Sequence, residues 1–211
     1  MRLVFCWLSH MNLFITGTDT EVGKTTVSAW ICSQIQTQYW KLIQTGDDSD
    51  SKTVKLLAPN TKIIPEAYRL QAPLSPYDAA KLENLTIDVR KLTLGSTLNK
   101  TVIEGAGGIY VPITDKFFML DALEKNNAEA VVVVRSKLGM INHALLTCHA
   151  IRLRGIRLAA IIVVGNIENN ILETLKHFLG NDLFTILPES DNLQEMFKQV
   201  PVPQRIKEIL S

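Results

Sequence analysis

Gly17-Thr18-Asp19-Thr20-Glu21-Val22-Gly23-Lys24-Thr25 is the stretch whose residue types and spacing most clearly suit chemistry. An apolar run, Leu13-Phe14-Ile15, precedes it, and a helical pattern from Thr26 to Gln36 follows. A Gly-bounded loop between a strand and a helix wraps phosphates with backbone N–H groups and aims a helix N-terminus at them. Lys24 is then placed to reach β- and γ-phosphates, and Thr25 to put a hydroxyl on Mg²⁺. The spacing departs from the usual pattern, which would place the first glycine at position 18. Thr18 stands there, and Gly17 lies one residue further out.

Four more polar stretches follow apolar runs. Lys41 lies within Tyr39-Trp40-Lys41-Leu42-Ile43, which reads as a second strand, and Thr45, Asp47, Asp48 and Asp50 come after it. A lysine on a buried strand needs an anion to meet; an exposed edge lysine is the alternative. The acids read either as a solvated loop or as a source of one Mg²⁺ ligand near Thr25 and Glu104. Val102-Ile103-Glu104 leads into Gly105-Ala106-Gly107-Gly108, which places a carboxylate at a strand end with a backbone that a ligand can approach closely. Ser136 to His143 precedes a long helical pattern, so Gly139, Met140, Ile141 and Asn142 would offer free N–H groups to a carboxylate or phosphate. An ordinary strand–helix turn has the same spacing. Asn166 follows the next strand and carries an amide suited to an adenine edge.

These loops need a frame that brings strand ends together. Ala130-Val131-Val132-Val133-Val134 is β-branched without polar alternation, which predicts a strand buried on both faces of a parallel sheet. Leu158–Val164 and Phe184–Leu187 read as further strands. Met119–Lys125, Ile141–Arg154 and Asn169–Leu179 read as helices, and Ser75 caps another that starts at Pro76. Thr53–Leu57 and Ile87–Leu94 are short helix candidates; residues 59–76 read as mostly irregular, and the tail as helical. Strands alternating with helices predict a doubly wound α/β fold, mostly parallel, with helices on both faces. Ligands then gather at the carboxyl ends of the strands. No repeat, low-complexity tract or linker marks a second domain, so residues 1–211 read as one.

The composition narrows the class. Of 211 residues, 46% are hydrophobic and 20% charged, and the net charge is +1. That balance gives no nucleic-acid footprint, so anion binding must be local. No apolar run reaches the ~18–20 residues that span a bilayer. Cys6, Cys32 and Cys148 are far apart, which argues against a disulfide framework or zinc site and fits a reducing cytosol. His10, His143, His149 and His177 show no metal-ligand spacing, and Trp30, Cys32, Cys148 and His149 read as packing. No Cys/His or Ser/His pair suggests a protein nucleophile. Residues 1–10 read as an extension, with Met11 an alternative start.

Taken together, Gly17–Thr25, Lys41-Leu42-Ile43-Gln44-Thr45-Gly46, Glu104–Gly108 and Lys137–Thr147 resemble the dethiobiotin synthetases, a P-loop family of biotin synthesis. The shifted first glycine is that family's own version of the loop. The resemblance implies ATP and Mg²⁺ as cofactors, and 7,8-diaminononanoate and CO₂ as substrates. It implies a cytoplasmic homodimer that binds neither nucleic acid nor membrane. Lys24 and Lys41 become the electrostatic catalysts, and Thr25, Asp50 and Glu104 the Mg²⁺ ligands. The nucleotide falls to Thr20, Glu21, Val22, Gly23, Lys24, Thr25, Thr26, Asp50, Glu104, Gly105, Ala106 and Gly107. Asn166, Pro188, Glu189, Ser190 and Glu195 flank its base and ribose. Thr45 lies beside the phosphates or carbamate, and Gly139, Met140, Ile141 and Asn142 of a neighbouring subunit receive the substrate carboxylate. Leu42 stands where the family commonly has Pro, a change expected to affect how Lys41 is aimed.

Two other readings share parts of these motifs. Corrin amidation of the cobalamin type normally needs a glutaminase domain, for which 211 residues leave no room. A partitioning-type ATPase switch usually carries an extra lysine early in the phosphate loop, and the run Gly17 to Val22 has none.

Overall fold

The computed structural model describes residues 12–95 and 100–211. The N-terminal extension and Met11 lie outside the described residues. The frame is a seven-stranded sheet built from β1 (Asn12–Gly17), β2 (Gln38–Lys41), β4 (Lys62–Ile64), β6 (Thr101–Gly108), β7 (Ala128–Arg135), β8 (Leu158–Val164) and β9 (Phe184–Leu187). Their order is β4-β2-β6-β1-β7-β8-β9, every pairing parallel. β3 (Ile43–Thr45) and β5 (Tyr68–Leu70) form a separate parallel pair.

Both faces of the sheet are apolar, as expected for parallel strands buried on two sides. Leu13 and Ile15 of β1 join one cluster with Val27, Trp30 and Ile31; Phe14 joins the other with Met119, Leu120 and Leu123. Helices α1 (Lys24–Gln34), α2 (Asp50–Leu57), α7 (Leu193–Gln199) and α8 (Gln204–Leu210) cover the first face. Helices α3 (Pro76–Leu82), α4 (Met119–Lys125), α5 (Met140–Leu153) and α6 (Asn169–Leu179) cover the second. This is the doubly wound α/β arrangement. None of the described helices is long and apolar enough to cross a membrane.

The expected elements and the observed ones differ in instructive places. Helix α1 begins at Lys24, because Gly23 adopts φ 100° and starts it directly after the loop. The stretch 59–76 is not mostly irregular: it holds β4 and β5. Lys62-Ile63-Ile64 lies between Pro59 and Pro65, which confines it to the sheet edge, where it pairs with Gln38 to Trp40. Ile87–Leu94 contains only a 3₁₀ turn, Val89–Lys91. There the Asp88 carboxylate accepts from the Arg90 amide and also holds the Arg90 side chain, a local alternative to helix bonding. β6 continues through the glycines to Gly108, which pairs with Gly17.

Candidate active site

β1 stands at the switch point of the sheet, with β6 on one side and β7 on the other. The loops leaving the carboxyl ends of these strands therefore open a crevice around the β1 terminus. A cleft of about 720 Å³ lies there. Thr20, Glu21, Gly23, Lys24, Thr25 and Thr26 line it from the phosphate loop, and Lys41, Thr45 and Asp50 from the β2–α2 segment. Glu104, Ala106 and Gly107 line it from β6.

The shifted glycine has a steric reason. A Cβ on Gly17 would lie 2.6 Å from Val22 Cγ2, 2.7 Å from the Asp19 carbonyl oxygen and 3.1 Å from Lys24 Nζ. The loop folds back over the end of β1, and Val22 turns its side chain into the core. Glu21 supplies a left-handed turn at φ 54°, and the Thr18 amide donates to the Val133 carbonyl. Helix α1 has no side-chain cap, and its first residues line the cleft, an arrangement suited to an anion. Gly17→Ala is expected to weaken nucleotide binding by about 5- to 150-fold, the equivalent of an overpacking cost of about 1–3 kcal/mol. Titration with a fluorescent nucleotide checks this; an affinity within twofold of the parent would show that the loop gives way freely.

The centre of the cleft is a buried charged network. The parallel register of β2 and β6 sets Lys41 beside Glu104. Lys41 Nζ lies 3.0 Å from Glu104 Oε1 and 2.5 Å from Asp50 Oδ2, and it donates to the Gly105 carbonyl at 3.2 Å. Lys41 is therefore buried with anions to meet, not an edge lysine. Burial works against its charge, but Glu104 and Asp50 outweigh burial and hold its pKa above the ordinary lysine value. Burial likewise pushes the Asp50 carboxyl up, while Lys41 more than reverses this and holds it below the usual value. The Leu42 amide donates to the Glu104 carbonyl at 3.0 Å, a bond that proline lacks, so the backbone register extends one residue past Lys41. Asp50 is the first residue of α2, and its amide is held by Gln44 Oε1 at 3.1 Å.

Thr25 Oγ1 lies 2.8 Å from Asp50 Oδ1 and 3.1 Å from Glu104 Oε1. A hydroxyl has one proton and cannot satisfy two carboxylates. Three hard oxygens from three residues converging in this way form a donor set suited to Mg²⁺, which takes one or two carboxylates together with phosphate oxygens and water. No cluster of three or more His, Cys, Asp or Glu offers a competing metal site among the described residues.

Lys24 Nζ donates to the Asp19 carbonyl at 3.0 Å, and Asp19 Oδ2 pairs with Lys137 at 3.1 Å. Burial, with Lys41 nearby, lowers the Lys24 pKa to about 8 despite Glu104 and Asp50. The described cysteines supply no nucleophile: burial pushes the Cys32 and Cys148 thiols up to about 12.

The remaining predicted residues do not line this cleft. Asn166, Pro188, Glu189, Ser190 and Glu195 lie beyond its rim, at the ends of β8 and β9 and on α7. Arg135, which the motif reading missed, bridges the two regions: it lines the cleft and pairs with Glu189 at 2.8 Å. Ser136 Oγ donates to the Asn166 carbonyl in the same rim. Gly139, Met140, Ile141 and Asn142 open the start of α5 elsewhere; Met140 is buried, and Asn142 joins Leu145, Leu146 and Phe178 along a surface groove. No pattern in the chain marks the apolar flank of the cleft, Ile43, Pro73, Leu74, Pro76 and Val111, because these residues come from three separate segments.

Sheet order, loop and cleft define a P-loop nucleotide-binding protein. A family model described as an AAA domain matches residues 11–196. The chain is 44% identical over 80% of its length to an ATP-dependent dethiobiotin synthetase, BioD, of Paramagnetospirillum magneticum, covering 83% of that protein. It is 37% identical over 94% of its length to the BioD of Lawsonia intracellularis, covering 98% of it. Among solved structures, a ParA family ATPase from Chlorobium tepidum shares the fold at TM-score 0.56 and 14% identity, over 94% of this chain and 97% of that one. The chain belongs to the dethiobiotin synthetase family.

Proposed function

We propose that this protein closes the ureido ring of dethiobiotin, using ATP, CO₂ and 7,8-diaminononanoate. The observation that carries the reading is a single cleft in which two buried lysines face a three-oxygen cation site, flanked by apolar side chains. The phosphate loop and the start of α1 would hold the triphosphate, with Lys24 on its β- and γ-phosphates. Ile43, Pro73, Leu74, Pro76 and Val111 suit the alkyl chain of the diamine, and Thr45 the reacting end. One amine takes up CO₂ as a carbamate. The carbamate oxygen attacks the γ-phosphorus as ADP leaves, and the second amine attacks the carbonyl carbon as phosphate leaves. Lys24 and Lys41 would stabilise the negative charge that passes between these groups. Thr25, Asp50 and Glu104 would hold Mg²⁺, which when bound supplies positive charge against the phosphates. Asn166, Glu189 and neighbouring residues would flank the base.

Two copies would pair across α5, whose exposed Leu146 and Leu153, with Leu138 before it and Phe178 of α6 nearby, form an apolar surface. Gly139–Asn142 of one copy would then receive the substrate carboxylate of the other. The cytoplasm is the compartment that this chemistry and the buried thiols fit. Phosphate release from MgATP with bicarbonate and diamine, with the ring-closed product identified by mass, tests the reaction. Hydrolysis that does not depend on the diamine overturns it. Sedimentation that finds a fully active monomer overturns the shared site.

The lowered Lys24 pKa gives a signed pH dependence. In the free protein Lys24 carries its proton below about pH 8 and loses it above. A bound triphosphate keeps it charged. kcat/KM for ATP is therefore expected to fall above pH 8, while kcat stays level to higher pH, since kcat/KM reports the free enzyme and kcat the complex. Parallel pH profiles of the two would remove Lys24 as the titrating group.

A further inference from the structure

Glu104 is fully buried, and its two oxygens face different partners. Oε1 meets Lys41 and Thr25 at the cleft. Oε2 points inward, where Ser28 Oγ lies at 2.6 Å and the Tyr39 hydroxyl at 2.9 Å. Ser28 and Tyr39 are both fully buried, and neither lines the cleft. Tyr39 comes from β2 and Ser28 from α1, elements packed on either side of the same carboxylate-bearing strand end. Ser28 also lies 3.0 Å from the Lys24 carbonyl; its single proton goes to the closer, charged acceptor.

A carboxylate oxygen has two lone-pair directions, and on Oε2 both are taken by hydroxyl donors. A cation approaching from the cleft therefore meets one oxygen of Glu104, not two. We propose that Tyr39 and Ser28 are positioning residues that confine Glu104 to single-oxygen metal coordination and so favour Mg²⁺ over Ca²⁺. The inference rests on the reading of Thr25, Asp50 and Glu104 as the cation site. Mg²⁺ needs near-octahedral, single-oxygen ligands in a tight shell, whereas Ca²⁺ accepts both oxygens of one carboxylate in a larger, looser shell. Releasing Oε2 lets the carboxylate rotate and offer both oxygens, which helps Ca²⁺ and misaligns the Mg²⁺ ligand. The two hydroxyls thus do more than satisfy a buried charge: they decide which face of it the cleft sees.

The test is calorimetric titration of Mg²⁺ and of Ca²⁺ into protein saturated with a non-hydrolysable ATP analogue. It compares the parent with Tyr39→Phe, Ser28→Ala and the double variant, and follows thermal unfolding alongside. Loss of such an outer partner typically weakens metal binding by about 10–100-fold. The double variant is expected to lose Mg²⁺ affinity on that scale, with the Ca²⁺-to-Mg²⁺ affinity ratio shifting toward Ca²⁺ by about tenfold or more. Ser28→Thr, which keeps a hydroxyl, is expected to keep the parent ratio. If the double variant does not fold, each single variant is expected to shift the ratio in the same direction. A ratio equal to that of the parent in folded variants overturns the proposal, whatever happens to the absolute affinities. A parent that binds neither ion with the nucleotide overturns the cation site beneath it. Failure to form the ring-closed product overturns only the proposed reaction, because no diamine or turnover enters this titration.

Discussion

Lys41→Met is expected to lower turnover by about 10²–10³-fold, the scale of losing one preorganised charge-stabilising donor. It is also expected to lower folding stability by about 3–5 kcal/mol, because removing one partner of a buried ion pair leaves an uncompensated charge. Both effects have the same origin. The ammonium lies 2.5 Å from Asp50 and 3.0 Å from Glu104, and Lys41 itself is only 4% exposed. Methionine fills much of the same volume without the charge, so packing loss is a minor part. Single-turnover phosphate release, measured well below the unfolding temperature, separates the two. Mg²⁺ with nucleotide is expected to restore part of the stability, since a divalent cation neutralises the same carboxylates. Turnover within tenfold of the parent in a folded variant would make Lys41 a structural ion-pair partner only.

Glu104→Gln tests the same network from the other side. The amide keeps the shape and removes the charge. Its carbonyl oxygen can still accept from Ser28 and Tyr39, which turns the NH₂ group toward Lys41, donor against donor, while the Thr25 hydroxyl can accept from it and give its own proton to Asp50. Metal-supported turnover is expected to fall by about 10²–10³-fold. Stability is expected to fall by about 1–3 kcal/mol, less than for Lys41→Met, because Asp50 still pairs with Lys41. Nucleotide affinity measured in chelator should stay at the parent level, since Lys24 and the loop amides are untouched. A parallel loss of affinity in chelator would mean that Glu104 shapes the phosphate loop instead of serving a cation.

The parts of this site that lie close together in the chain were legible from residue order. A strand, a glycine-bounded loop and a helix are contiguous, so Gly17–Thr25 showed itself. The alternation of Val-rich runs with helical patterns was enough for the doubly wound fold. The resemblance put Lys41 and Glu104 in one site, but their direct contact was created by register. Lys41 and Glu104 are neighbours only because β2 pairs with β6, and nothing near either residue announces the other. Tyr39 and Ser28 belong to no motif in the sequence, and only the buried Oε2 of Glu104 gives them a role. Arg135 closes a run of valines and reads as the strand's polar end, yet it reaches both cleft and rim.

The short elements failed for another reason. β4 and β5 have three residues each, too few for a periodic signal, and prolines on their flanks read as irregular chain. Their existence depends on the partner strand, β2 for one and β3 for the other. The displaced glycine was visible as an oddity, but its cause was not: Gly17 is forced by atoms of Val22, Asp19 and Lys24 that only the folded loop brings to it.

The central place of β1 sets the order in which the molecule can come into being. During synthesis β1 emerges first among the described strands, yet its two partners arrive only with residues 101–108 and 128–135. Until then the phosphate loop has no sheet to hang from, and the apolar strand is exposed on both edges. Contacts so distant along the chain make for slow closure and a long window in which an unpaired strand can find the wrong partner. The residue pair at the heart of the cleft, Lys41 with Glu104, waits for β6, so the growing chain has no working site until residues 101–108 have been made and have joined β1 and β2.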